Sequence, residues 1–134
     1  MDVVPVEVEP LPPLVDLEFE GNCSRRPSVE ELKAQLDDFL HIVESIHHRK
    51  AIFYVTEEVY AEYSTVTQGH ELFVRELFTH PRWLDGRRWL FWQFDDGGRL
   101  DGIEGAIDLD AFHGSADQLR ALAGPRKEEH DPRP

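Results

Sequence analysis

Between Leu14 and Ile46 the hydrophobic period of the chain changes from two to 3.6, and this switch restricts the fold more than any other feature. In "LVDLEF", residues 14–19, apolar Val15, Leu17 and Phe19 alternate with acidic Asp16 and Glu18, and Glu20 continues the acidic set. Successive side chains of a strand point to opposite faces, so these carboxylates share one side. After the loop "EGNCSRRP", Ser28 and Glu31 have the spacing of a capping box, in which the hydroxyl takes the amide three residues on and the glutamate reaches back. The helix it opens carries Val29, Leu32, Leu36, Phe39, Leu40, Val43 and Ile46 at three- and four-residue steps, an apolar stripe that faces a core. His47, His48, Arg49 and Lys50 close it, where positive groups suit the helix C-terminus.

The alternation continues downstream. "AIFYV", residues 51–55, reads as a buried strand, and Thr56 as the cap of a short helix "EEVYAEY". "ELFVREL" fits a strand or a helix, and "HPRWLDGR" a loop. "RWLFWQF", residues 88–94, reads as another strand, followed by a Gly- and Asp-rich loop, "DDGGRLDGIEG", that leads to "AIDLDAF". Ser115 opens a last amphipathic helix, "ADQLRALA". Strands alternating with helices predict an α/β fold with a mainly parallel sheet or barrel. Three or four strands and three helices are too few for a closed eight-stranded barrel, which takes at least about 200 residues. Residues 1–10, rich in Val, Glu and Pro, read as an extended lead-in, residues 11–123 as the domain, and residues 124–134 as a disordered tail too poor in apolar side chains to pack.

Charge and composition exclude several functions. The chain has 134 residues and a formal net charge of −13. It lacks the basic stripe that releases counterions from nucleic acid, and it is repelled by anionic membrane surfaces. No apolar run is long enough for membrane insertion, and the first residues do not read as a secretory signal. Cys23 is the only cysteine, so no disulfide forms within the chain and a free, packed thiol is expected.

Three constellations bear on chemistry. Asp16 and Glu18, two residues apart on a strand, lie roughly 6–7 Å apart at about 3.3 Å per residue, close enough to serve one substrate region. Their repulsion raises at least one pKa, as a general acid requires, although a solvated strand face explains the same pattern. Trp89, Phe91, Trp92 and Phe94 fit either core aromatics or platforms for sugar rings. The acidic loop after them departs from the ordered frame of an EF-hand, and the seven histidines show no metal-ligand spacing, so neither a metal nor another cofactor is expected. A Gly-x-Ser-x-Gly elbow and a phosphate-cradling loop are both missing.

Three segments, "LPPLVDLEFEGNCS…RPSVEEL", "IFYVTEEVY" and "RRWLFWQFDDGGRLDGIEGAIDLDAFHGS", together resemble the C-terminal part of glycoside hydrolase family 25, the Chalaropsis-type lysozymes or N-acetylmuramidases. The likeness runs from about Leu11 to Leu122 in the family's order. It implies the C-terminal half of a distorted, TIM-like β/α barrel that cleaves the β-1,4 bond between N-acetylmuramic acid and N-acetylglucosamine in peptidoglycan. On this likeness Glu18 matches the proton donor, Asp16 its partner carboxylate in a substrate-assisted mechanism, and Asp108 a further acidic residue of the cleft. Tyr54, Trp92 and Gln93 fall where relatives line the sugar site, and Phe94 stands where a tyrosine is common. Glu20 reads as a loop-edge charge.

The family's first strands, with an early catalytic-site aspartate, have no counterpart ahead of Leu11. A barrel opened in this way exposes edges, so weak or absent activity alone and association with itself or a complementing chain are expected. Relatives act at the cell wall or outside the cell. The alternative reading is a non-catalytic module that binds glycans or a protein.

Overall fold

The computed structural model describes residues 11–21 and 24–124. The lead-in of residues 1–10, Cys23 and nearly all of the tail lie outside these residues. Five strands form one sheet in sequence order: β1 (Leu14–Leu17), β2 (Ile52–Thr56), β3 (Glu71–Arg75), β4 (Phe91–Gly98) and β5 (Ile107–Phe112). The first four pair in parallel and β5 pairs antiparallel with β4. The ambiguous "ELFVREL" is a strand, because Leu72 and Val74 are fully buried between parallel neighbours.

Helices α1 (Val29–His47), α2 (Glu57–Tyr63) and α3 (Ala116–Ala123) complete the fold, with a 3-10 turn at Ser64–Thr67. Ser28 and Ser115 both form the reciprocal box: each hydroxyl accepts an amide three residues on, and the glutamate or glutamine there returns the bond. Thr56 stands at the N-cap position of α2, with extended backbone, but its side chain makes no capping bond. On α1 Leu36 and Leu40 are the buried residues, and Phe39, Ile42 and Ile46 are exposed, so the apolar stripe is wider than the surface it covers.

One face of the sheet makes the core. Phe53, Val55, Leu72 and Val74 pack with Leu36 and Leu40 of α1 and with Val59, Tyr60 and Tyr63 of α2. Val15, Leu17 and Phe19 join this cluster from β1 and its continuation. Asp16 and Glu18 are thereby directed to the other face, because strand side chains alternate.

The strand expected over residues 88–94 instead begins at Phe91 and runs on to Gly98, through residues expected to be loop. The pairing with β5 shifts register between Gln93 and Asp95 and again before Gly98, so this is a bulged ribbon. Gly98 permits it: a Cβ there would stand 2.6 Å from Leu109 Cγ and 2.9 Å from the Ile107 carbonyl oxygen. Here glycine marks close backbone approach and not a turn.

Candidate active site

Four parallel strands place their C-terminal ends along one edge of the sheet, and the antiparallel β5 brings its N-terminal end to the same edge. Register then fixes what the non-core face carries. Asp16 aligns with Tyr54, Tyr54 with Phe73, Phe73 with Phe91 and Phe91 with Phe112. The four rings form a continuous row, with successive centroids 5.2, 5.5 and 5.2 Å apart. The next row toward the C-terminal edge is polar: Thr56 aligns with Arg75, Arg75 with Gln93 and Gln93 with Asp110. Glu18 follows Leu17 directly beyond the end of β1 and belongs with this row. An aromatic floor thus lies beneath a line of acids, amide and guanidinium.

Hydrogen bonds hold the arrangement. Tyr54 Oη donates to Gln93 Oε1 at 2.7 Å, and Gln93 is buried. Arg75 Nη2 donates to Asp96 Oδ2 at 2.8 Å. Burial raises the Asp16 carboxyl above its ordinary range. For Glu18, burial raises the pKa most, the charges of Asp16 and Glu20 add to it, and Arg75 opposes them. Asp110 is raised by burial and then by Asp108. Burial drives the Tyr54 phenol up to about 12; Arg75 opposes this, and Glu18, Asp16 and Asp108 reinforce it. Tyr54 therefore stays protonated, and two carboxyls that hold protons more tightly than usual sit beside it.

A cavity of about 360 Å³ opens at this edge, bordered by Glu18, Glu20, Thr56, Arg75 and Phe78. A larger one of about 550 Å³ lies at the N-terminal ends of the strands, against Arg49, Lys50, His70, Arg87 and Leu122. It borders none of Asp16, Glu18, Tyr54, Gln93 and Asp108, and of these five the smaller cavity borders Glu18. Among the described residues, no three His, Cys, Asp or Glu side chains converge as metal ligands.

Of the residues singled out in the sequence, Asp16, Glu18, Tyr54, Gln93 and Asp108 come together on this face. Trp92 does not. It aligns with Val74, whose side chain is in the core, and packs against that core with Trp89. Its indole Nε1 donates to the Glu76 carbonyl oxygen at 2.8 Å. The expectation that Trp92 stands beside Tyr54 is therefore corrected: residues 92 and 93 point to opposite faces of β4, and only Gln93 points to the acids. Phe94 shares the Trp92 side, with ring centroids 5.9 Å apart. Arg75 and Phe78 escaped the sequence reading. A cation ending an apolar strand was the available signal for Arg75, and Phe78 gave none until the loop after β3 was placed.

Comparison with known proteins matches residues 3–103 to the model of the glycosyl hydrolases family 25. That span includes Asp16, Glu18, Tyr54 and Gln93 and ends before Asp108. An uncharacterized protein, YegX, of Escherichia coli K12 is 29% identical over 118 residues, 87% of this chain and 42% of that protein. A family 25 glycosyl hydrolase from Bacillus anthracis superposes with a TM-score of 0.74 at 31% identity, over 83% of this chain and 54% of that one. A family GH25 lysozyme from Aspergillus fumigatus shares the fold with a TM-score of 0.69 at 22% identity, over 86% of this chain and 57% of that one. The chain thus spans about half the length of the relatives it matches.

Proposed function

The chain belongs to the glycosyl hydrolases of family 25, and on that premise we propose that its sheet is a segment of a lysozyme-type barrel whose acids act on peptidoglycan. The substrate would be the β-1,4 bond between N-acetylmuramic acid and N-acetylglucosamine. The observation that carries the reading is the placement of Asp16 and Glu18 on the face opposite the core, at the C-terminal strand edge, beside Tyr54 and Gln93. Barrel chemistry sits at that edge.

In this reading Glu18 gives its proton to the glycosidic oxygen as the bond to the anomeric carbon breaks. Asp16 accepts the N–H of the substrate's acetamido group, whose carbonyl oxygen attacks the same carbon and closes a ring. Glu18, now ionised, takes a proton from water as that water opens the ring, and the configuration is retained. This is the substrate-assisted variant of two-carboxylate hydrolysis. Asp108 adds negative charge near the developing cation, and the Tyr54–Gln93 pair positions the sugar. No cofactor enters.

Among the described residues the sheet is open, with β1 and β5 as its edges and Leu14 half exposed. The open face favours the second reading, a module that binds glycans or a protein without turning over. It also makes slow turnover the expected behaviour of the chain by itself, since catalysis needs groups held to a fraction of an ångström. Incubation with purified peptidoglycan, with mass spectrometry of released fragments and sedimentation of bound chain, separates the readings. Slow release of fragments with new muramic reducing ends supports the hydrolase. Saturable binding without release supports the module. If neither appears, both are wrong.

A further inference from the structure

We propose that Phe78 is a sugar-stacking residue at the rim of the acid-lined cavity, taking the place the sequence reading gave to Trp92. The proposal rests on the glycan-directed reading above and adds a specificity contact to it. Phe78 is 93% exposed, well beyond the other exposed large apolar side chains among the described residues. It lies just past the C-terminal end of β3 and borders the same cavity of about 360 Å³ as Glu18 and Arg75. An aromatic ring left in water at the mouth of a polar cavity offers an apolar surface, and pyranose rings present apolar C–H faces that stack on such rings.

The backbone beneath the ring is also held in place, through Glu76. The Glu76 amide donates to the Gln93 carbonyl oxygen at 3.1 Å, and its own carbonyl accepts Trp92 Nε1 at 2.8 Å. One carboxylate oxygen accepts the Phe78 amide at 3.2 Å and the other accepts Trp83 Nε1 at 3.3 Å. Every polar group of Glu76 is therefore engaged, and the backbone that carries Phe78 is tied to β4 and to two indoles. A loop backbone fixed before the ligand arrives leaves only the side-chain torsions of Phe78 to be ordered on binding. Trp92 thus serves the site indirectly, by anchoring the residue that sets the loop, while the ring that meets solvent is Phe78. The floor rings Phe73 and Phe91 lie lower on the face and are only partly exposed, so they offer less surface to a sugar at the rim.

The test is titration of the full chain with the β-1,4-linked tetramer of N-acetylglucosamine, followed by aromatic and amide NMR. Wild-type chain is expected to bind saturably, with the Phe78 ring signals among those that move. Phe78→Ala is expected to weaken binding about three- to tenfold, and Phe78→Trp to restore it. Removal of so exposed a ring leaves the core intact, and circular dichroism of both variants should match wild type. Equal affinity of wild type and Phe78→Ala overturns the stacking role and leaves the glycan reading standing. Absence of saturable binding by the wild-type chain overturns both. Loss of self-association in Phe78→Ala, with tetramer binding unchanged, assigns the ring to a second copy of the chain and also overturns the proposal.

Discussion

Tyr54 Oη donates a 2.7 Å hydrogen bond to Gln93 Oε1 across β3, tying the second strand of the sheet to the fourth on the face that carries the acids. The donor is not in doubt at any working pH, because the phenol is pushed up to about 12. With its oxygen so engaged, the Gln93 amide has its N–H groups left to donate. The bond therefore does two things at once: it ties β2 to β4 and it fixes the orientation of the amide.

Tyr54→Phe tests the structural part. The variant leaves the buried Gln93 oxygen without its donor, which costs about 1–2 kcal/mol. Urea unfolding should show the loss as a lower midpoint at unchanged slope. Tetramer binding should weaken as well, because the amide is freed to turn. An unchanged midpoint means the bond contributes no net stability.

Gly98→Ala tests the ribbon. Its Cβ would meet the Leu109 side chain and the Ile107 carbonyl oxygen below 3.0 Å, and the backbone neighbour has little room to yield. Overpacking of this kind costs about 1–3 kcal/mol. The strain falls at the start of β5, where Asp108 sits, so amide shifts should concentrate between Ile107 and Asp110. Wild-type stability with no such shifts would mean that the hairpin opens without cost.

These two residues also mark how far the sequence could be read. Alternation in "LVDLEF", the Ser28 box and the Ser115 cap depend on neighbours a few residues away, so β1, α1, α3 and the facing of Asp16 and Glu18 were legible. The path of β4 was not, because Gly97 and Gly98 follow Asp95 and Asp96 and imitate a turn. Only the approach of Leu109, about ten residues later, shows why glycine is required. Trp92 illustrates the same limit at the site. The family likeness points to "WQF" as a unit, but adjacent strand residues cannot share a face, and which of them meets the acids depends on pairing with β3. Phe78 depends on the contacts of Glu76, which no local pattern encodes.

Glu44 gives the fold a pH dependence away from the site. Its Oε1 accepts the Ala51 amide at 2.9 Å and pairs with His70 Nε2 at 2.9 Å, joining the end of α1 to the start of β2 and to the residue before β3. Burial alone would raise this carboxyl, but the Ala51 amide and His70 outweigh it, and the pKa lies below its ordinary 4.5. A lowered folded-state pKa means stability present above about 4.5 and lost as pH falls through the lower, folded value. Glu44→Ala removes the acceptor at both partners and should cost about 1–2 kcal/mol near neutrality. The difference between variant and wild type should shrink in acid. A difference that stays constant down to low pH rules out the ionised carboxylate as its source.

The two acids of β1 should separate in a test that uses both stability and turnover. Both carboxyls are raised, so in each the folded state disfavours the charged form. Their destabilising contribution is absent below the ordinary values, 3.8 for Asp16 and 4.5 for Glu18, and is complete above the folded ones. Glu18→Gln and Asp16→Asn should therefore be no less stable than wild type at neutral pH, the pattern of a site that sacrifices stability for function. In a chimera of this chain with the complementary part of the Bacillus anthracis hydrolase, each should lower turnover by at least about 10²-fold. The pH profiles assign the roles. If Glu18 is the proton donor proposed above, the rate should fall as pH rises through its raised pKa. If Asp16 is the ionised partner proposed above, the rate should fall as pH drops through its own. Arg75 pulls the Glu18 pKa down, so Arg75→Gln should move the alkaline limb to higher pH and leave the acid limb in place. An acid limb that moves instead would identify Asp16 as the group facing Arg75 and reverse the assignment.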